Sequence, residues 1–363
     1  MPPASRRAAL RGLLRAADVE ALLVTDLVNV RYLTGFTGSN AALLVHAAGD
    51  GASRFCTDGR YTTQSAAEVP DLERIVDRAG AVVLARAAEE LGVTRLGFES
   101  EAVTVDAHAA LVEAAGATVL LHRAPGLVAR LRRVKDAAEV ATLRRACAVA
   151  DAALADLVAA GGLRPGRSER DVAFDLETRM RAHGAAGPAF DTIVAAGPHS
   201  AVPHHRPTDA SMRRGDLVKL DFGALVEGYR SDITRTVVLG RAAGWQRDLH
   251  ALVATAQEAG RAALRPGTPV VDVDAAARDV VAHAGYADEF VHGLGHGVGL
   301  EIHEAPLLGP TGTGEVAAGM VVTVEPGVYL PGRGGVRIED TVAVGNAAAE
   351  PLTRSPRQLL EIA

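Results

Sequence analysis

Cysteine is almost absent: the 363 residues contain only Cys56 and Cys147, far apart and without metal-type spacing around either. That scarcity excludes a disulfide framework and fits a reducing compartment. Long apolar runs are missing too. No stretch reaches the ~18 consecutive apolar residues of a membrane-spanning helix, so no membrane partner is expected. The opening MPPASRRAALRGLLRAADVEALLV has early basic residues but no uninterrupted apolar segment before Asp18 and Glu20. Its Arg6-Arg7 pair alone does not make a twin-arginine signal. No signal peptide is read, and the expected location is the cytoplasm. A dense Lys/Arg block is also lacking. The net charge is −6 and the arginines are scattered along helical segments, as at Arg144 and Arg145, so nucleic acid is not an expected partner.

What the chain does have is 48% apolar residues, enough for sizeable cores, and a length that suggests two domains. In residues 1–125 the runs ALLV (21–24), AALLV (41–45), RLGF (95–98) and TVLL (118–121) read as strands. Residues 5–17, 79–91 and 104–115 carry helical spacing between them, which predicts a small α/β domain with a mixed sheet. Pro125-Gly126 punctuates its end, and 126–134 reads as a linker into a long amphipathic helix over about 136–160.

The remainder, 135–363, holds an internal repeat. Leu163-Arg-Pro-Gly166 recurs as Leu264-Arg-Pro-Gly267, each time after a helix and before a new helix start. Ser168 with Asp171 forms a capping-box pattern in the first copy, and Thr268 with the acids after it stands in the second. The helices end alike, at Ala182-His183-Gly184 and at Ala282-His283-Ala284-Gly285. Strand-like runs follow in both: LVKLDFGALV and ITRTVVLG, then MVVTVEPGVYL and VRIEDTVAV. The expected fold class is therefore α+β, duplicated, with helices buried against sheet.

Four acids sit inside these apolar runs: Asp221 in VKLDFG, Asp232 in SDITRT, Glu325 in VVTVEPG and Glu339 in VRIED. One such acid is commonly an ion-paired structural residue. Four, two from each half, are costly to bury unless a shared cation compensates them. The stretch FVHGLGHGVGLEIHE adds three histidines and four glycines between His292 and His303. Glycine gives up backbone order, so this run is either a flexible loop or a segment that must approach another group closely. With His296 as a fifth ligand, two divalent cations would balance the four carboxylates. An oxygen-rich set with one imidazole suits Mn²⁺, Co²⁺, Fe²⁺ or Zn²⁺ better than soft-ligand metals. Such a pair of metals acidifies water and polarises a carbonyl.

Taken together, DFG…SDITRT, GHGVGLEIHE, TVEPGVY and GGVRIED resemble the motifs of the M24 metallopeptidases, the pita-bread aminopeptidases and prolidases. RYLTGFTGSN and TDGRY resemble their smaller creatinase-like N-terminal domain. The resemblance implies a pita-bread catalytic domain in which Asp221, Asp232, His296, Glu325 and Glu339 bind two metals, with no departure at these positions. It gives Glu325 the proton transfer from water to the leaving nitrogen. His204 would contact the leaving group and His303 the oxyanion, while His292, Arg337 and Tyr329 fall at substrate-side positions. His205 has no clear role. The implied substrates are small peptides with proline second, cleaved before the proline, and a homodimer is expected. The resemblance leans to Xaa-Pro aminopeptidase, with Xaa-Pro dipeptidase as the alternative. A metal-free creatinase-like hydrolase or a non-enzymatic binding protein of this fold is more remote, because the ligand set is intact. Methionine aminopeptidases normally lack the N-terminal domain.

Overall fold

A computed structural model describes residues Met1–Ala363, which form two compact units, Met1–Arg132 and Arg133–Ala363. The first contains α1 (Pro3–Ala16), β1 (Ala21–Val24), α2 (Leu27–Thr34), β2 (Ala41–His46), β3 (Arg54–Thr57), α3 (Thr62–Glu68) and β4 (Glu73–Val76). Then follow α4 (Gly80–Glu90), β5 (Arg95–Phe98), α5 (Val105–Ala115), β6 (Leu120–Arg123) and α6 (Leu127–Arg132). The sheet order is β4-β3-β2-β1-β5-β6. It is mixed: β2 runs antiparallel to β1 and β3, whereas β5 runs parallel to β1 and β6. Ala21 and Leu23 pack with Leu84 of α4 and Leu111 of α5, and Leu22 and Val24 are equally buried on the alternate side chains of β1.

Three features differ from expectation. The last strand lies at Leu120–Arg123, two residues beyond the apolar run TVLL. Neither β3 nor β4 was anticipated, and β4 (ERIV) is a largely exposed strand whose charged residues hide any apolar alternation. Residues 126–134, read as a linker, carry α6, and Arg132 donates to Oδ1 of Asn29 at 2.8 Å.

In the second unit α7 spans Ala137–Ala159, α8 Glu169–Ala182, α9 Gly244–Ala263 and α10 Val270–His283. Asp136 opens α7 in a capping box with Glu139. The repeat is structural: α8 and α10 are both 14 residues long, and each follows an LRPG turn. The turn glycines Gly166 and Gly267 sit at φ of +88° and +86°, a conformation that favours glycine. The caps are not alike. Ser168 and Asp171 form the capping box of α8, but α10 begins after Pro269 with no side-chain cap from Thr268. The first N–H of α10, on Val270, instead donates to Gly314 O at 3.1 Å.

The first half supplies the antiparallel strands Ile193–Ala196, Leu217–Phe222 and Ile233–Leu239. The second supplies Gly295–Gly297, Glu304–Leu308, Val321–Val324 and Asp340–Val344, with a hairpin of Gly327–Leu330 and Gly334–Arg337. Leu154, Leu157, Val172 and Leu176 from α7 and α8 share a core with Val218, Leu220 and Phe222. Val253, Val273 and Ala277 from α9 and α10 share another with Val322, Val324 and Val342. Strand side chains alternate, so Lys219 and Asp221 are turned away from the helices, as Asp232 and Thr234 are beside Ile233. There the halves join: Glu339 N donates to Thr234 O at 3.1 Å, and the Thr341 hydroxyl donates to Asp232 O at 2.8 Å.

Candidate metal centre

Asp221 pairs across the ladder with Thr234, and Asp232 lies one residue before the same strand. His296 is the middle residue of Gly295–Gly297, Glu325 follows Val321–Val324, and Glu339 precedes Asp340–Val344. The structure brings all five to the wall of one cavity of about 420 Å³, which His204, His292, His303 and Arg337 also line. The ligating atoms of Asp232, His296 and Glu339 lie within 4.8 Å of one another. His296 Nε2 is 3.3 Å from Glu325 Oε1 and 3.7 Å from Asp232 Oδ2.

The glycines around His296 have a geometric cause. A Cβ at Gly295 would lie 2.1 Å from the carbonyl oxygen of Thr323, and one at Gly297 would lie 2.3 Å from that of Ala305. His296 is carried on a strand squeezed between two others, with a register shift between His296 and Gly297. The segment is a tightly held strand rather than a flexible loop.

Electrostatically the cluster calls for a cation. Burial, followed by repulsion from Glu339, Asp221 and Glu325, pushes the Asp232 carboxyl well above its usual range. Burial, then Glu325 and Asp221, does the same to Glu339. Burial and mutual repulsion thus both disfavour the ionised forms, and a bound cation would relieve both. Glu325 goes the other way: burial would raise it, but the hydrogen bond and charge of His296 outweigh burial and draw it down to about 2. That pull requires a protonated His296 and ends if its lone pair is given to a metal. The buried Oδ1 of Asp221 has no hydrogen-bond partner. An orphaned carboxylate oxygen beside two carboxyls that resist ionisation is a donor set suited to divalent metal.

Arg337 is the cationic counterweight already in place. Its Nη2 is paired with Asp221, Nε donates to the Thr234 hydroxyl at 3.1 Å, and Nη1 donates to Tyr329 OH at 2.8 Å and Pro203 O at 3.2 Å. Tyr329 departs from expectation. It does not line the cavity but is buried behind Arg337 and His292, with its hydroxyl 2.8 Å from His292 Nε2. It orients two lining residues, because its strand pairs directly with that of Arg337. His204 sits on a loop fixed from below by the buried Lys219, whose Nζ donates to Val202 O at 2.6 Å and Pro203 O at 3.0 Å. His303 packs edge-on against His296, ring centroids 4.4 Å apart, and burial lowers its pKa. Phe190, Ile193, Ile302 and Leu307 supply an apolar side to the cavity.

Sequence reasoning missed the supports of this centre. Thr234 donates to Glu339 Oε2 at 2.6 Å, while the Thr323 hydroxyl donates to Glu325 Oε1 at 3.2 Å and accepts from His296 N at 3.1 Å. Strand periodicity offered a signal: Thr234 and Thr323 each lie two residues from an acid, on its face of the strand.

Comparison with known proteins agrees with this architecture. Residues 6–134 match the model of the creatinase/prolidase N-terminal domain, and residues 141–346 match that of metallopeptidase family M24. The Xaa-Pro dipeptidase of Pyrococcus furiosus is 44% identical over 230 residues, 63% of this chain and 66% of that protein. Among solved structures, the Xaa-Pro dipeptidase from Bacillus anthracis has a TM-score of 0.94 and 36% identity, covering 99% of both chains. The X-Pro aminopeptidase from Thermotoga maritima has a TM-score of 0.89 and 32% identity, covering 98% of this chain and 99% of that one. Membership of the family implies divalent metal ions at the centre. This chain belongs to metallopeptidase family M24, with the pita-bread catalytic domain preceded by a creatinase-type N-terminal domain.

Proposed function

We propose that the chain is an Xaa-Pro dipeptidase working with two divalent cations, Mn²⁺ first among them. The carrying observation is the convergence of Asp221, Asp232, His296, Glu325 and Glu339 on one cavity that also has an apolar side. The lean towards an aminopeptidase gives way here: both identity and TM-score are higher for the Bacillus anthracis dipeptidase than for the Thermotoga maritima aminopeptidase. Bound metals would acidify water at neutral pH and polarise the scissile carbonyl.

The protein's own groups then have distinct tasks. Glu325 takes the proton from the attacking water and delivers it to the leaving nitrogen. That delivery is essential, because an amide nitrogen is too basic to leave as an anion and must gain a proton as the bond breaks. His204, on its braced loop, meets the leaving proline, and His303 donates where negative charge develops on oxygen. His292 and Arg337, both held by Tyr329, shape the substrate side. The carboxylates accept the substrate's free amino group, so N-acetylation abolishes turnover.

Hydrolysis of Ala-Pro beside Ala-Pro-Ala tests the assignment. The dipeptide is expected to show at least about tenfold higher kcat/KM, roughly 1.4 kcal/mol of discrimination. The reverse order would make the protein an aminopeptidase. Equal rates on Ala-Pro and Ala-Ala would refute proline specificity while leaving the metallopeptidase assignment standing.

A further inference from the structure

A second cluster lies outside the five-residue centre. Glu169, the first residue of α8, is fully buried, yet both its oxygens are crowded. Oε1 is 2.8 Å from Ala196 N and 2.8 Å from His199 Nδ1. Oε2 is 2.8 Å from His205 Nε2, 3.0 Å from Thr208 N and 2.7 Å from Thr208 Oγ1. Five polar groups thus face a carboxylate with about four lone-pair positions. The two backbone N–H groups can only donate. The imidazoles need not, since a neutral ring presents a lone pair at one nitrogen.

Their placement suits that alternative. The two rings stack with centroids 4.3 Å apart, both turned to the same carboxylate, and the three ligating atoms lie within 4.8 Å of one another. Tetrahedral ligands each at ~2.05 Å from one cation stand about 3.3 Å apart. The observed 2.8 Å nitrogen-to-oxygen spacings, one to each oxygen of Glu169, would open by about half an ångström to admit a shared cation. The His199 side chain is 40% exposed and that of His205 11%, which leaves one flank of the cluster open to solvent.

We propose that Glu169, His199 and His205 form a separate site for one first-row divalent cation of the Zn²⁺ or Co²⁺ class. Two imidazoles and a carboxylate are a donor set for such ions rather than for Ca²⁺ or Mg²⁺. The amides of Ala196 and Thr208 and the Thr208 hydroxyl remain as outer donors that orient the carboxylate. The cation would tie three segments together: the start of α8, the turn Gly197–Ala201, and the loop that carries His204 and His205. His205 also lines the cavity of the main centre, so the cation would act as a staple at the edge of that cavity.

The test is a metal count. Metal-stripped protein is saturated with Zn²⁺ alone, desalted, and its zinc measured by elemental analysis, for the wild type and for His199→Ala. His199 is half-exposed, so the variant folds, as circular dichroism verifies. The variant is expected to hold one equivalent fewer. The same pair is measured in an Asp232→Asn background, which lowers occupancy of the main centre; His199→Ala must again remove one equivalent. Equal zinc in either pair overturns the proposal and leaves the cluster as hydrogen bonds alone. Only the difference is read, so the result holds whatever the main centre binds and whichever peptide is cleaved.

Discussion

The Thr234 hydroxyl donates to Oε2 of Glu339 at 2.6 Å, and the two residues come from opposite halves of the duplicated unit. The bond joins the strand Ile233–Leu239 to the approach of the strand Asp340–Val344, so it fixes a proposed ligand of one half against the scaffold of the other. Thr234→Val keeps the shape and removes the donor. Metal affinity is expected to fall by about ten- to a hundredfold, the usual effect of losing a group that orients a ligand. Competition with a fluorescent chelator measures it, and unchanged affinity would show that Glu339 is oriented by other means.

Removing the metals is expected to abolish peptidase activity, and Mn²⁺ or Co²⁺ to restore it, because water at neutral pH is a poor nucleophile until a metal acidifies it. Full turnover by protein shown metal-free by elemental analysis would refute a metal-dependent reaction.

Glu325→Gln keeps the side-chain volume but removes both a proposed charged ligand and the proposed proton carrier. A loss of kcat by several orders of magnitude is expected with the circular dichroism spectrum intact. If more than about a tenth of kcat survives, another group moves the proton.

His204→Ala and His303→Ala should each lower kcat/KM strongly while metal content stays at the wild-type value. Both line the cavity, but neither is assigned as a ligand. Loss of a metal equivalent in either variant would require the ligand and substrate histidines to be redrawn.

Acid stability should depend on His250. Burial in α9, followed by the positive charge of Arg235, lowers its pKa from 6.5 to about 4. The unfolded chain therefore takes up the proton before the folded chain does. The stabilisation is fully present above pH ~6.5, falls as pH drops from there, and is gone below about 4. The loss is at most about 3 kcal/mol. Denaturant titrations at pH 7 and 4.5 should show a smaller drop for His250→Gln than for the wild type. Parallel drops would mean that the imidazole is not held neutral by the fold.

Much of the centre could be read locally. An acid in an apolar strand run needs a partner wherever the strand goes, so Asp221, Asp232, Glu325 and Glu339 declare themselves without a fold. Glycine on both sides of His296 likewise signals close approach, and the carbonyls of Thr323 and Ala305 are what it approaches. The recurrence of LRPG exposed the duplication because each half repeats the same local turn and helix. Elements with weak local signatures were lost: β4 is an exposed strand of mixed polarity, and α6 is too short to show a helical stripe.

What only the tertiary structure decided is which faces meet. Periodicity puts Thr234 on the face of Asp232, but not opposite Glu339, 105 residues away. It cannot tell that Tyr329 stands behind the cavity wall, since that depends on how the hairpin packs over Arg337 and His292. Nor does it bring His199 and His205 to Glu169, which are 30 and 36 residues from it along the chain. Local chemistry is set by a residue and its near neighbours in the chain. Long-range pairing is set by the packing of whole sheets and helices, which places side chains within ångströms of partners that no local pattern can name.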